Sequence, residues 1–385
     1  MLSQEHLLVK KSAGEFATNV VEPLARRMDR ENYYPREAIR EAARLGLLAP
    51  TIPSKYGGGD GDLRTAVVVV EELAKTSGAF GFLTAISGVV FTHSLFTHGS
   101  GFQRGEVLAR VATGEAVGAF ALSEPCCGSD AAAIETRAEK VGGEWRIDGV
   151  KTWITSGLYA DYFLVFARTG AREERHKTIT AFIVKRGSCV ETSPIEVMGM
   201  RGTGTAEVKF SQCSVSDDDV VGRVNGGWEV IAETLNAGRV AISGVALGVA
   251  TGAFEEAWGW ARQRRLFGQR LVDFQNAQFE LAEMYAAIET MRALAYYAAY
   301  LFDVGRREEF ITMAHVAKLQ TARLAVEVTR KAVQMLGGYG YSKESKSEMF
   351  YRDAKALEIG GGTIEAIRHI LYKTLDRRQA ARPFD

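Results

Sequence analysis

The chain has 385 residues, enough for more than one small domain and for a large buried core. Hydrophobic residues make up 46% and charged residues 24%, an ordinary balance for a globular protein, and the 47 basic side chains equal the 47 acidic ones, so no net charge points to nucleic acid or to an anionic membrane. No apolar run of about 18 residues is read from the sequence, so no membrane span is expected. The four cysteines are too few for a disulfide framework in a chain of this size and suit a reducing cytoplasm, and no CxxC, HExxH or clustered Cys/His set supports metal chemistry.

Residues 3 to about 115 read as helices. Pro35 to Gly46 has proline near a helix start and glycine after its end, residues 64–76 carry apolar side chains at helical spacing, and Tyr56-Gly57-Gly58-Gly59-Asp60-Gly61 is a loop. The texture changes near Gly118. Residues 144–149 and 206–210 alternate, and residues 161–167 and 178–184 are apolar runs of buried-strand type, so a β region of about 110 residues is expected. From Gly227 helical periodicity returns in stretches such as 244–263, 276–303 and 310–336. Helices, strands and helices in succession make an α+β chain rather than an alternating one. Gly337-Gly338-Tyr339-Gly340 follows a helix and not a strand, so it is no dinucleotide-binding fingerprint.

Three segments carry chemistry. In Phe120-Ala121-Leu122-Ser123-Glu124-Pro125-Cys126-Cys127-Gly128-Ser129-Asp130, followed by Lys151-Thr152-Trp153-Ile154-Thr155-Ser156-Gly157, a Gly-containing turn offers N–H groups and hydroxyls, and a tryptophan offers a flat apolar wall. Either half alone is equally well a plain turn or a core tryptophan. The second segment is Arg264-Arg265-Leu266-Phe267-Gly268 with Phe274-Gln275, and the third is Gln334 to Tyr341 with Tyr351-Arg352-Asp353-Ala354-Lys355 after it. Together with Pro53 to Gly58 and Met198-Gly199-Met200-Arg201, these segments resemble the acyl-CoA dehydrogenase family over essentially the whole chain.

The resemblance implies an N-terminal all-helical domain (1–116), a central β-barrel-like domain (117–225) and a C-terminal four-helix bundle (226–385). It implies FAD held between subunits of a homotetramer. The flavin-facing set would be Phe120, Leu122, Ser123, Gly128, Ser129, Trp153, Ile154 and Thr155. Contacts to a partner's adenosine and pyrophosphate would come from Arg264, Phe267, Gln275, Gln334, Gly337, Gly338, Thr363 and Glu365. Ser129 and Arg239 would touch the acyl-pantetheine. The implied activity is α,β-dehydrogenation of a CoA thioester in the cytoplasm, with electrons passed to an acceptor such as electron-transfer flavoprotein.

One departure stands out. The family's catalytic carboxylate is placed either where this chain has Gly361 or where it has Gly238, and a tyrosine position is Gly360. Glu233 is expected to face away and Glu358 matches a variable position, which leaves His93, and beside it His98, as a weak candidate base. The missing side chains predict a widened acyl pocket, with activity regained in Gly361→Glu. Cys126 and Cys127 read as small buried fillers. Two other readings stay open: a relative with different chemistry, a monooxygenase or reductase, and a non-catalytic subunit of a heteromer.

Overall fold

The computed structural model describes residues 2–381, in the order helices, sheet, helices. The N-terminal part contains α1 (Gln4–Phe16), α2 (Glu22–Glu31), α3 (Arg36–Arg44), α4 (Leu63–Thr76) and α5 (Gly78–His98). Ser3 caps α1 and Asp62 caps α4, each accepting from the backbone N–H three residues on. Eight strands follow: β1 (Gly118–Ala121), β2 (Arg137–Val141), β3 (Glu144–Ile154), β4 (Tyr162–Arg168), β5 (Ile179–Lys185), β6 (Val190–Pro194), β7 (Ala206–Val215) and β8 (Val220–Val221). They form one sheet in the order β6-β7-β3-β2-β4-β5-β8, with β1 added parallel to β4, and this ladder does not close on itself. The apolar runs seen in the sequence become β4 and β5, buried almost throughout, and the alternating stretch 206–210 lies in β7, which alternates buried and exposed. The short strands β1, β2 and β6 carry no comparable periodic signal.

The C-terminal part is built on α6 (Gly227–Gln263), α7 (Gln275–Asp303) and α8 (Arg307–Leu336), with α9 (Ser347–Leu357) and α10 (Ile364–Ala381) packed on α8. α6 is the central post, packed on α4 as well as on α7 and α8. Glycines at its 244, 248 and 252 positions open a groove one helical turn apart, into which α4 fits backbone to backbone. A Cβ would stand 3.1 Å from the Val67 carbonyl oxygen at Gly244, 2.3 Å from that of Glu71 at Gly248 and 2.3 Å from that of Lys75 at Gly252.

Two expectations need correction. α5 and α6 are long and apolar enough to span a membrane by composition, contrary to the reading of the sequence, but they are buried inside the protein, 78% and 89% over their most apolar windows. The cysteines pair as Cys126–Cys127 and Cys189–Cys213. Cys126 is exposed and not a buried filler, because it stands at the tip of a tight turn in which Glu124 and Cys127 exchange backbone hydrogen bonds of 3.2 and 3.0 Å. Cys189 lies just ahead of β6, and the β6–β7 register carries it to within 5.3 Å (Cα–Cα) of Cys213.

Where α4 and α6 touch, Gly248→Ala is expected to destabilise the protein by about 1–3 kcal/mol, the usual range for overpacking. Urea unfolding checks this, with Gly259→Ala, whose Cβ meets nothing within 4 Å, as the matched control.

Candidate functional site

The first two signature segments meet around one buried ion pair. Lys151 of β3 is wholly buried, and its ammonium donates to the Glu124 carboxylate at 2.7 Å and to the Leu122 carbonyl at 3.0 Å. Glu124 also accepts the N–H groups of Glu135 and Thr136, and Thr152 N–H donates to the Ser123 carbonyl at 2.9 Å. The 122–130 loop is thereby fixed to β3. Burial pushes Lys151 down to about 8, while for Glu124 the same burial is outweighed by Lys151 and by the N–H donors, which hold its carboxyl below the usual range.

Directly beyond Lys151 the β3–β7 register shifts, and Trp153 adopts φ +61°. The irregularity turns the indole outward, so Trp153 is 63% exposed between two inward-facing neighbours, Thr152 and Ile154. It is therefore a surface wall and not a core tryptophan. The side chain of Ile154 lies in the core, which leaves only its backbone for a ligand. Leu122 is buried; Phe120, Ser123 and Thr155 are partly exposed. Gly128 and Ser129 are exposed, with nothing within 4 Å of a Cβ at Gly128. This face suits a flat heteroaromatic ring and an anionic tail.

A second group gathers elsewhere. Arg264, Gln334, Gly337 and Gly338 line one cleft of about 830 Å³ with Trp260, Tyr339 and Lys331. Gly337 has φ +60°, and no atom lies within 4 Å of a Cβ at Gly337 or Gly338, so the bare backbone can meet a ligand there. Arg264 lies 5.8 Å over the Trp260 ring. Phe267, at the tip of a hairpin next to the cleft, is 96% exposed, and Gln275 is exposed at the start of α7. Thr363 and Glu365 are not among the cleft residues: Thr363 caps α10, accepting from Ala366 N–H at 3.2 Å, and Glu365 is exposed in its first turn.

The third group surrounds Gly361, one of the two positions where the resemblance places a carboxylate. Gly361 has φ +71°, and a Cβ there would stand 2.8 Å from Cδ1 of Ile242. One at Gly238 would stand 2.7 Å from Cγ2 of Val90, and one at Gly360 3.6 Å from Cζ of Phe82. Ile242 and Val90 thus stand where side chains at 361 and 238 would begin, while a side chain at 360 would meet Phe82 at ordinary contact distance. Arg239, buried, donates to the Gly361 carbonyl at 3.1 Å and to Asn236 Oδ1 at 2.8 Å, and shares a 3.0 Å hydrogen bond with His315 Nε2. Lys318, one turn along α8 from His315 and also buried, donates to the Gly362 carbonyl. Burial pushes Arg239 down to about 10; burial and then Arg239 push Lys318 down to about 8 and His315 to about 4. Sequence reasoning misses His315 and Lys318, because nothing in a helical stretch 310–336 says which turn faces residue 361. Glu124 and Lys151 lie inside the signature segments, and opposite charges on two apolar stretches are the available signal.

His93 sits apart from this group. It packs against Phe302, with ring centroids 5.9 Å apart, roughly 16.5 Å along α5 from Phe82 at helical rise. Burial and the neighbouring His98 push it down to about 4. Glu233 does not reach Gly361 either: it pairs with His98 at 3.0 Å and with Arg307, and Glu358 pairs with Lys355 at 2.7 Å. The segment Met198 to Arg201 and the segment Arg352-Asp353 pack on each other, with Asp353 accepting Met200 N–H and Arg352 paired with Asp29 at 2.6 Å.

Comparison with known proteins matches the N-terminal, middle and C-terminal acyl-CoA dehydrogenase domains to residues 3–115, 119–213 and 225–375. Among similar proteins are a short-chain specific acyl-CoA dehydrogenase of Clostridium acetobutylicum, 36% identical over 96% of this chain and 97% of that one, and a 3-(aryl)acrylate reductase of Clostridium sporogenes, 34% identical over 97% and 99%. The structure of butyryl-CoA dehydrogenase from Megasphaera elsdenii superposes with a TM-score of 0.94 at 32% identity, covering 97% of this chain and 99% of the other.

Lys151→Met leaves Glu124 as an uncompensated buried charge, so it is expected to cost about 3–5 kcal/mol of stability. Trp153→Ala, at an exposed position, is expected to change stability little, by about 0.5 kcal/mol or less. Guanidinium unfolding of the two variants side by side checks both.

Proposed function

From the premise that this chain belongs to the acyl-CoA dehydrogenase family, as an FAD-dependent oxidoreductase acting on CH–CH bonds, we propose that it dehydrogenates a CoA thioester between its α and β carbons. The observation that supports this most is the pairing of the two flavin segments through Glu124 and Lys151 beneath an outward-turned Trp153. FAD supplies the hydride acceptor when bound. Trp153, Thr155, Ser123 and Ser129 would hold its ring and chain. Arg264, Gln334 and the bare Gly337-Gly338 backbone would hold the dinucleotide part of a neighbouring subunit's FAD, for which a planar, permanently charged guanidinium suits pyrophosphate. The nearly complete exposure of Phe267 in a single chain supports the homotetramer in which it would be covered. Electron-transfer flavoprotein is the acceptor class, and the cytoplasm the compartment, that this reading takes.

The absence of a carboxylate at both Gly238 and Gly361 favours a second reading. Here the same FAD site serves a reaction with no enzymatic α-proton base, as a reductase or as a subunit that borrows activity from a homologue. The discriminating experiment is purification of the chain alone followed by anaerobic flavin bleaching with short, branched and cyclic acyl-CoAs. Bleaching supports the dehydrogenase; a stable yellow protein that no thioester bleaches supports the second reading.

The purified protein is expected to carry about one FAD per subunit. Arg264→Ala is expected to release FAD more readily, by the about 1.5–3 kcal/mol of a charge-assisted hydrogen bond, measured by dilution and fluorescence of the freed cofactor.

Gly361→Glu alone is expected to lose about 1–3 kcal/mol of stability, from the positive φ and from Ile242, rather than to gain activity. The double variant Gly361→Glu, Ile242→Ala provides room for the acid. Its rate of flavin reduction by butyryl-CoA is expected to rise at least about ten-fold over the native chain, a floor below the usual worth of a positioned base. Stopped-flow absorbance of the flavin measures it.

A further inference from the structure

Among the described residues, Arg239 and Lys318 are two buried cations with no anion within ion-pair distance. All five side-chain contacts of the Arg239–His315–Lys318 group go to neutral acceptors: the carbonyls of Gly361, Gly362 and Ile311, the amide oxygen of Asn236 and the His315 ring. The ring nitrogen Nδ1 of His315 donates to the Ile311 carbonyl at 2.5 Å, so Nε2 is the acceptor for Arg239 and the ring adds no negative charge. Among the described residues neither Arg239 nor Lys318 has a carboxylate within 4.0 Å. The carboxylates felt by Lys318 are Glu358, already held by Lys355 at 2.7 Å, and Glu365, which is exposed on α10.

A lone buried charge is costly, and removing the partner of a buried pair normally destabilises strongly. Here two cations converge on a three-glycine turn, and Gly360, Gly361 and Gly362 place no side chain between them and the partly exposed side of that turn. A Cβ at Gly362 would lie 3.8 Å from Arg239 Nη2, so the free edge of the guanidinium faces the turn. The surrounding wall is apolar: Phe82, Val90, Ile242 and Ile367. A Cβ at Gly361 would lie 2.8 Å from Ile242 Cδ1 and one at Gly362 3.2 Å from Ile367 Cδ1, so these two isoleucines stand close over the turn.

We propose that Arg239 and Lys318 receive a carboxylate carried by the acyl group of the thioester, so that the substrate class is an acyl-CoA with an acidic acyl chain. The inference rests on the dehydrogenase reading and deepens it. The planar fork of arginine takes a carboxylate edge on, and the lysine adds a point charge. The charge at this position then arrives with the substrate and is not a side chain of the enzyme.

The test is equilibrium titration of the FAD-replete enzyme, followed by the change in flavin absorbance, with thioesters matched in chain length: butyryl-CoA against succinyl-CoA and valeryl-CoA against glutaryl-CoA. The carboxylated member of each pair is expected to bind at least ten-fold more tightly. In Lys318→Met that ratio is expected to fall toward one, and in Lys318→Arg to be kept, a pattern that a merely structural lysine does not produce. Equal or tighter binding of the neutral member overturns the inference while leaving the dehydrogenase reading intact. An FAD-replete protein whose flavin responds to none of the four overturns both. The native comparison stands by itself should the lysine variants not fold.

Discussion

The buried pair between Glu124 and Lys151 is the constraint on which the exposed face around Trp153 depends. Lys151 has no solvent exposure and no water to satisfy its charge; Glu124 balances it, and the pair joins a loop to a strand 27 residues further along. With the loop fixed, the register shift beyond Lys151 has one outcome: Trp153 turns out and its neighbours turn in. The exposed wall, the glycine-containing turn and the hydroxyls are thus positioned by a contact buried beneath them.

The three parts of the chain are held to one another by a small number of specific junctions. Glycines of α6 admit the backbone of α4, tying the N-terminal helices to the central post. Arg352 reaches Asp29 from the C-terminal part, and Asp353 next to it takes the N–H of Met200 from the β part, so adjacent residues bind two different regions. Burial raises Asp353 to about 7, above its ordinary value, so its contribution is full below the ordinary carboxylate range and is lost as pH rises through neutrality. The junction of the three parts is consequently weakest on the alkaline side.

Much of this is legible in the sequence for physical reasons. Long helices and the two buried strands announce themselves by periodicity, and the paired signature segments carry glycine, tryptophan and hydroxyls in a fixed order. What is not legible depends on which turn of one helix meets which turn of another. His315 and Lys318 lie in plain helical sequence, and only the fold brings them to Gly361 and Gly362. His93 is visible in the sequence as a titratable side chain in a helical stretch, but only the fold shows that it packs against Phe302. The cysteine pairs escape because two adjacent residues and two strand ends give no spacing rule, and α5 and α6 escape as apolar helices because their interruptions by glycine and serine disguise their length.

Ile242 has a consequence for how this site can change over time. With its methyl in the room that a side chain at 361 would need, and with the backbone there in the left-handed region, the glycine is not a simple vacancy waiting to be refilled. A change that places an acid at 361 meets strain before it meets advantage, whereas a prior change at Ile242 opens the room while offering nothing by itself. The two steps must come in that order for the acid to fit, so the isoleucine acts as a latch on the glycine at 361.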